Sequence, residues 1–200
     1  MITLEEANKK AEALQKDGRA LLDQYDTLSL LARLGDIHVD GSFAYGLMVK
    51  PDIDFHIYSS FPDIRKVSEV SQKLLETPEL VRILVSNKQD YLEPETGHPK
   101  GIYLGFRIFY KGQAWNFDVW VVKPENKVDS EMFEFGWHKK LTKEQRDSIL
   151  LLKYNLKDQG RYPGLDEGMY ASADIYRAVM KDGVRTIEEL DEWRKTHPYC

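Results

Sequence analysis

Cysteine is nearly absent from this chain: the only one is Cys200, at the last position. A disulfide framework and a thiolate metal site are thereby excluded, and a reducing, cytoplasmic setting is the default expectation. Long apolar runs are missing too. The longest within a helical pattern, Ile149 to Leu152, is far short of a membrane span, and the start Met-Ile-Thr-Leu-Glu-Glu carries no signal-peptide pattern. Positive charge is in deficit, with 28 Lys and Arg against 33 Asp and Glu, a net charge of −5. That argues against broad binding to duplex DNA, which depends on many Lys and Arg contacts. The five histidines (His38, His56, His98, His138 and His197) are scattered without zinc-helix spacing. The Gly41-x4-Gly46 spacing lacks the Lys and Ser or Thr of a phosphate loop, since Leu47 and Met48 follow. There is no internal repeat and no low-complexity segment.

What is present centres on residues 41–55, G-S-F-A-Y-G-L-M-V-K-P-D-I-D-F. Asp52 and Asp54 stand two apart in an apolar run. On a strand that spacing points both carboxylates to one face. Two such charges repel unless a cation lies between them. Hard oxygen ligands suit Mg²⁺ or Mn²⁺, which commonly also hold a substrate phosphate. A third acid, Asp118, sits inside the aromatic and β-branched stretch Ala114 to Val122, which reads as another strand. If the two strands are neighbours, three carboxylates converge, enough to hold two metal ions roughly 3.5–4 Å apart. The bland alternative makes Asp52, after Pro51, a turn residue, and Asp118 a surface acid.

Gly-Ser, nine intervening residues, Asp-x-Asp and a lone Asp on a later strand together resemble the nucleotidyltransferase superfamily typified by DNA polymerase β. The likeness covers roughly residues 36–122 and is strongest over 40–55. It implies that Gly41 and Ser42 touch the phosphates of a nucleoside triphosphate such as ATP, and that Asp52, Asp54 and Asp118 hold metal. It also suggests roles in the C-terminal third: Lys153 on the triphosphate, Ser172 on phosphate, and Tyr170 stacked on the base. Each has a plainer reading. Lys153 snorkels from its helix, Ser172 caps a helix, and Tyr170 belongs with it. His56 shares the parity of Asp54 and reads as a partly exposed strand residue. Trp120 shares the parity of Asp118, while Arg65 and Lys66 read as a solvated helix face.

Periodicity and capping signals predict a helix from Thr3, a second set of turns over Leu28–Leu34, and strands near Ile37–Val39 and Ile53–Tyr58. A short helix is expected over 43–48, and a helix opened by Pro62. Strands follow at Val81–Val85, Ile102–Tyr110 and Ala114–Val122, the last two a hairpin about Lys111-Gly112. Asn87–Lys100 reads as a loop and Pro124–Asp129 as a linker. Helices are expected from Thr142 to Lys157, Ser172 to Lys181 and Ile187 to Arg194. The fold class is α/β (α+β), a mixed sheet with flanking helices: a catalytic domain over 1–124, then a helical subdomain over 125–200. The expected activity is metal-dependent transfer of a nucleoside monophosphate to a hydroxyl, with a small-molecule acceptor favoured as in antibiotic nucleotidyltransferases. No extended nucleic-acid surface and no membrane partner are expected. A nucleotide- or partner-binding module with little or no catalysis is the alternative.

Overall fold

In the computed structural model of the chain, residues 2–89, 99–126, 141–164, 166 and 168–197 are described. Much of the expected loop at Asn87–Lys100 and the far end of the linker lie outside these residues, as do His98, His138 and Cys200. The chain groups into two compact units that interleave in sequence. One combines Gln15–Tyr45 with Lys50–Val128; the other combines Met1–Leu14, Gly46–Val49 and Asp129–Cys200.

The first of these units is built on a five-stranded mixed sheet in the order β1-β2-β5-β4-β3. Its strands are β1 (Asp36–Asp40), β2 (Asp52–Tyr58), β3 (Leu80–Asn87), β4 (Gly101–Tyr110) and β5 (Gln113–Val122). Only β2 and β5 run parallel; the other pairs are antiparallel. Strand alternation sorts the side chains by face. One face is apolar and buried: Ile53, Phe55 and Ile57 of β2, Phe117, Val119 and Val121 of β5, and Leu104, Phe106 and Ile108 of β4. Phe106 stacks on Phe117 across the strands, ring centroids 4.4 Å apart. Burying each such side chain contributes about 1.5–3 kcal/mol.

Helix α2 (Thr27–Ala32) packs against β1, and α4 (Ile64–Leu74) against β3 and β4. The α4 stripe Val67, Val70 and Leu74 is buried, while Arg65 and Lys66 are exposed. Pro62 does not occupy the first helical position as expected. Asp63 is the N-cap, its carboxylate accepting the Arg65 N–H at 2.8 Å, so the proline stands one residue outside. Helix α1 (Leu4–Gln24) runs unbroken through Gly18. A Cβ there would come within 2.7 Å of Phe43 and 3.1 Å of Trp115, so glycine is what lets the helix lie this close. The β4–β5 hairpin turns at Lys111-Gly112, both with positive φ (48° and 79°), as a two-residue loop of this handedness demands.

The opposite face of the sheet is polar and only partly covered. It carries Asp36, His38 and Asp40 of β1, Asp52, Asp54 and His56 of β2, and Asn116, Asp118 and Trp120 of β5. Tyr103 and Arg107 of β4 and Arg82 of β3 complete it.

The second unit is helical: α5 (Lys143–Asp158), α6 (Ser172–Lys181), α7 (Ile187–Thr196) and the first turns of α1. Capping boxes open α5 (Thr142 with Gln145) and α7 (Thr186 with Glu189). A third joins Thr3 and Glu6 at the start of α1. Ile149, Leu150, Leu152 and Leu156 of α5 are buried with Ile175 and Val179 of α6 and Leu190 of α7. Among the described residues, no helix is long and apolar enough to cross a membrane.

Candidate metal centre

Strand β1 delivers the chain to Asp40, whose carboxylate accepts the Gly41 N–H at 2.7 Å and opens the four-residue helix α3, Gly41–Ala44. The short helix expected at 43–48 therefore begins two residues earlier, because Asp40 caps it, and it ends at Ala44. The Asp40 carboxylate also accepts a hydrogen bond from the Tyr45 hydroxyl and lies 3.2 Å from His56 Nδ1. Burial by itself would raise its pKa. The bonds from His56, Tyr45 and the Gly41 amide outweigh that and hold it at about 2. Gly41 has φ +65°, and a Cβ built on it would overlap the Asp54 carboxylate. The glycine is thus required twice, by backbone conformation and by the acid behind it. Ser42 is buried beside it, and its hydroxyl has no hydrogen-bond partner among the described residues.

The parallel register of β2 and β5 sets Asp54 directly beside Asp118, while the β1–β2 register sets Asp54 opposite Asp40. Period two then brings Asp52 to the same face. Asp52, Asp54 and Asp118 each present a carboxylate oxygen within 4.8 Å of the others. Asp54 bears the cost. Burial of its carboxyl, then the negative charges of Asp52 and Asp118, push its pKa up to about 8; Lys50 pulls the other way, and Asp40 adds to the rise. Lys50 Nζ pairs with Asp52 at 2.6 Å. The Tyr103 hydroxyl donates to Asp118. Burial and that carboxylate drive the phenol well above its ordinary range. One lysine set against three converging acids leaves a deficit of positive charge, and three hard oxygens at this spacing fit a divalent cation such as Mg²⁺ or Mn²⁺.

The other expected site residues belong to the helical unit. Lys153 is fully buried and does not snorkel. Its ammonium donates to the Leu47 carbonyl at 2.8 Å and to the Tyr176 hydroxyl at 3.1 Å, and lies 5.4 Å from the Tyr162 ring centre. Lys157 donates to the Val49 carbonyl (2.8 Å) and Arg146 to that of Gly46 (3.2 Å). Ser172 is the first residue of α6 rather than its cap, which is Ala171, and it shares a 2.7 Å hydrogen bond with the Tyr162 hydroxyl. Tyr170 is buried and donates to Asp191 at 2.6 Å, with the Arg194 guanidinium 4.8 Å from its ring centre. Sequence reasoning missed three neighbours of the triad. Asp40 had a signal, an aspartate just before a short helix, and Lys50 had proximity to Asp52. Tyr103 had none, because only the β4–β5 register brings it to Asp118.

A mixed sheet with the Gly-Ser turn before β2, two acids on β2 and a third on its parallel neighbour defines a nucleotidyltransferase fold of the DNA polymerase β type. Solved structures agree. A cytoplasmic RNA terminal U-transferase matches at TM-score 0.58 and 15% identity, over 92% of this chain and 56% of that one. The Cid1 poly(U) polymerase in a form bound to MgATP matches at 0.57 and 15%, over 88% and 52%. The GLD-2–GLD-3 poly(A) polymerase complex matches at 0.57 and 13%, over 90% and 58%. The chain thus spans little more than half the length of these structures. No family model and no curated protein matches it.

Proposed function

We propose that this protein is a metal-dependent nucleotidyltransferase, moving a nucleoside monophosphate from a nucleoside triphosphate to an acceptor hydroxyl with release of pyrophosphate. The observation that carries the reading is the convergence of Asp52, Asp54 and Asp118 within 4.8 Å on the open face of the sheet. In this reading the three aspartates hold Mg²⁺ or Mn²⁺, which when bound neutralises the triphosphate and favours in-line displacement. Gly41 and Ser42 meet the phosphates through a backbone amide and a hydroxyl. Asp118, oriented by Tyr103, takes the acceptor proton. Lys153, Ser172 and Tyr170 remain candidates for the nucleotide, with Lys153 also committed to the Leu47 carbonyl. Positioning and charge stabilisation then do most of the catalysis.

Overall acidity favoured a small-molecule acceptor, whereas the similar structures are named an RNA terminal U-transferase, a poly(U) polymerase and a poly(A) polymerase. The decisive assay follows pyrophosphate release with Mn²⁺ and each triphosphate, in parallel with RNA and with small hydroxylated acceptors. Asp54→Asn is expected to lower turnover at least a hundredfold (on the order of 3 kcal/mol) with the far-UV circular dichroism unchanged. Full activity in that variant rejects the reading. Triphosphate binding without turnover in the unmodified protein would make it a binding module instead.

A further inference from the structure

The open face holds a second feature beyond the acids. On β3 and β4, Arg82 and Arg107 stand directly opposite each other. Alternation puts both on the face that carries Asp118. Like charges directly opposed across strands are destabilising, and among the described residues neither arginine forms an ion pair. Arg107 is fixed by donating from Nε to Asn116 Oδ1 at 2.7 Å, and Arg82 is exposed. Two residues along β4 from Gly105, the direct neighbour of Asp118, Tyr103 packs on Trp120 with ring centroids 5.1 Å apart. The Lys88 ammonium lies 5.5 Å from the Trp120 ring centre. Both rings and Lys88 are half-buried. The charge of Arg82 bears on the Tyr103 phenol, whose hydroxyl donates to Asp118.

Three cations and two aromatic rings thus border the acidic centre in a chain whose net charge is −5. Strand spacing of ~4.8 Å and a rise of ~3.3 Å per residue put Arg82 about 12 Å from Asp118, Cα to Cα. Cations that track a backbone, with rings on which bases stack, form the combination that takes single-stranded nucleic acid. A neutral small acceptor would leave the opposed arginines without a counter-charge. We infer that the β3–β4 side of the open face, through Arg82, Arg107, Lys88, Tyr103 and Trp120, binds single-stranded nucleic acid, whose terminal hydroxyl is the acceptor at Asp118. The binding surface stands on its own residues; the acceptor role rests on the transfer reading above.

The test is fluorescence anisotropy with a labelled single-stranded RNA of roughly 12 nucleotides, titrated with the 200-residue chain at several salt concentrations. The unmodified protein is expected to bind at about 50 mM salt and to weaken steeply as salt rises. Arg82→Glu, at an exposed position, is expected to weaken binding at least tenfold and to flatten the salt slope by about one. Trp120→Ala is expected to weaken it about tenfold. Calorimetric Mn²⁺ binding in Arg82→Glu is expected to match the unmodified protein, which separates a lost surface from a lost fold. Equal RNA binding by Arg82→Glu, equal binding by Trp120→Ala, or duplex bound as tightly as single strand overturns the assignment. Strand binding that depends on Arg82, in a protein whose turnover survives Asp54→Asn, keeps the surface and rejects the transfer reading. Turnover lost in Asp54→Asn with RNA binding indifferent to Arg82 does the reverse.

Discussion

Lys50 is the residue on which the charge balance of the acidic centre turns. Its ammonium, 2.6 Å from Asp52, is the positive group that most offsets the repulsion felt by Asp54. A divalent cation drawn to the same oxygens has to displace it. The Lys50 side chain keeps about a third of its exposure (32%), so the pair contributes little, about 1 kcal/mol at most. Lys50→Gln is therefore expected to tighten Mn²⁺ binding by about three- to tenfold in the absence of nucleotide. Calorimetry would read this; an unchanged or weaker affinity would show that metal and lysine do not compete. The three aspartates were legible in the sequence because period two is rigid: spacing alone fixes the face. Lys50 was written beside them, yet its partner depends on how the chain bends at Pro51, which spacing does not give. Tyr103 was out of reach, since its contact exists only through strand register.

Among the elements, α5 does something unusual for a helix. Arg146, Lys153 and Lys157 lie on one side of it, seven and four residues apart, and donate in turn to the carbonyls of Gly46, Leu47 and Val49. Side chains thereby satisfy a segment outside any regular element that runs straight into Lys50 and Asp52. Lys153→Met keeps most of the volume but removes the ammonium's hydrogen bonds to the buried Leu47 carbonyl and to the Tyr176 hydroxyl. Buried groups left unpaired cost about 1–3 kcal/mol, so a loss of about 2–3 kcal/mol is expected in urea unfolding. A change under about 0.5 kcal/mol would show the ammonium to be dispensable to the fold. The helix itself was readable from Thr142 and Gln145, and α6 and α7 likewise from local signals. The short helix at 43–48 was misplaced because its start is set by the Asp40 carboxylate; it ends at Ala44, and Gly46 just beyond has a positive φ of 68°.

For the molecule as a whole, Asp40 links stability to acid. Its pKa is about 2 in the folded chain against 3.8 for the free side chain. A depressed carboxylate stabilises the fold above its unfolded pKa and loses that contribution as pH falls through the folded one. The gap corresponds to about 2 kcal/mol. Urea unfolding is thus expected to show a component of about that size disappearing between pH 4 and pH 2, and Asp40→Asn is expected to lack it. A variant with the same acid profile as the unmodified protein would contradict the assignment. At this scale the mixed α/β class was legible from the alternation of strand and helix periods. Strand order was not, nor was the interleaving of the two units. Both are decided by which apolar faces meet at long range, as when Gly18 admits Phe43 and Trp115.

The insertion of β5 between β2 and β4 has a temporal consequence. A ribosome has to emit the whole sheet before Asp118 can take its place beside Asp54, so no nascent fragment that stops short of β5 possesses the cluster of three carboxylates. The two acids synthesised early wait for one synthesised late.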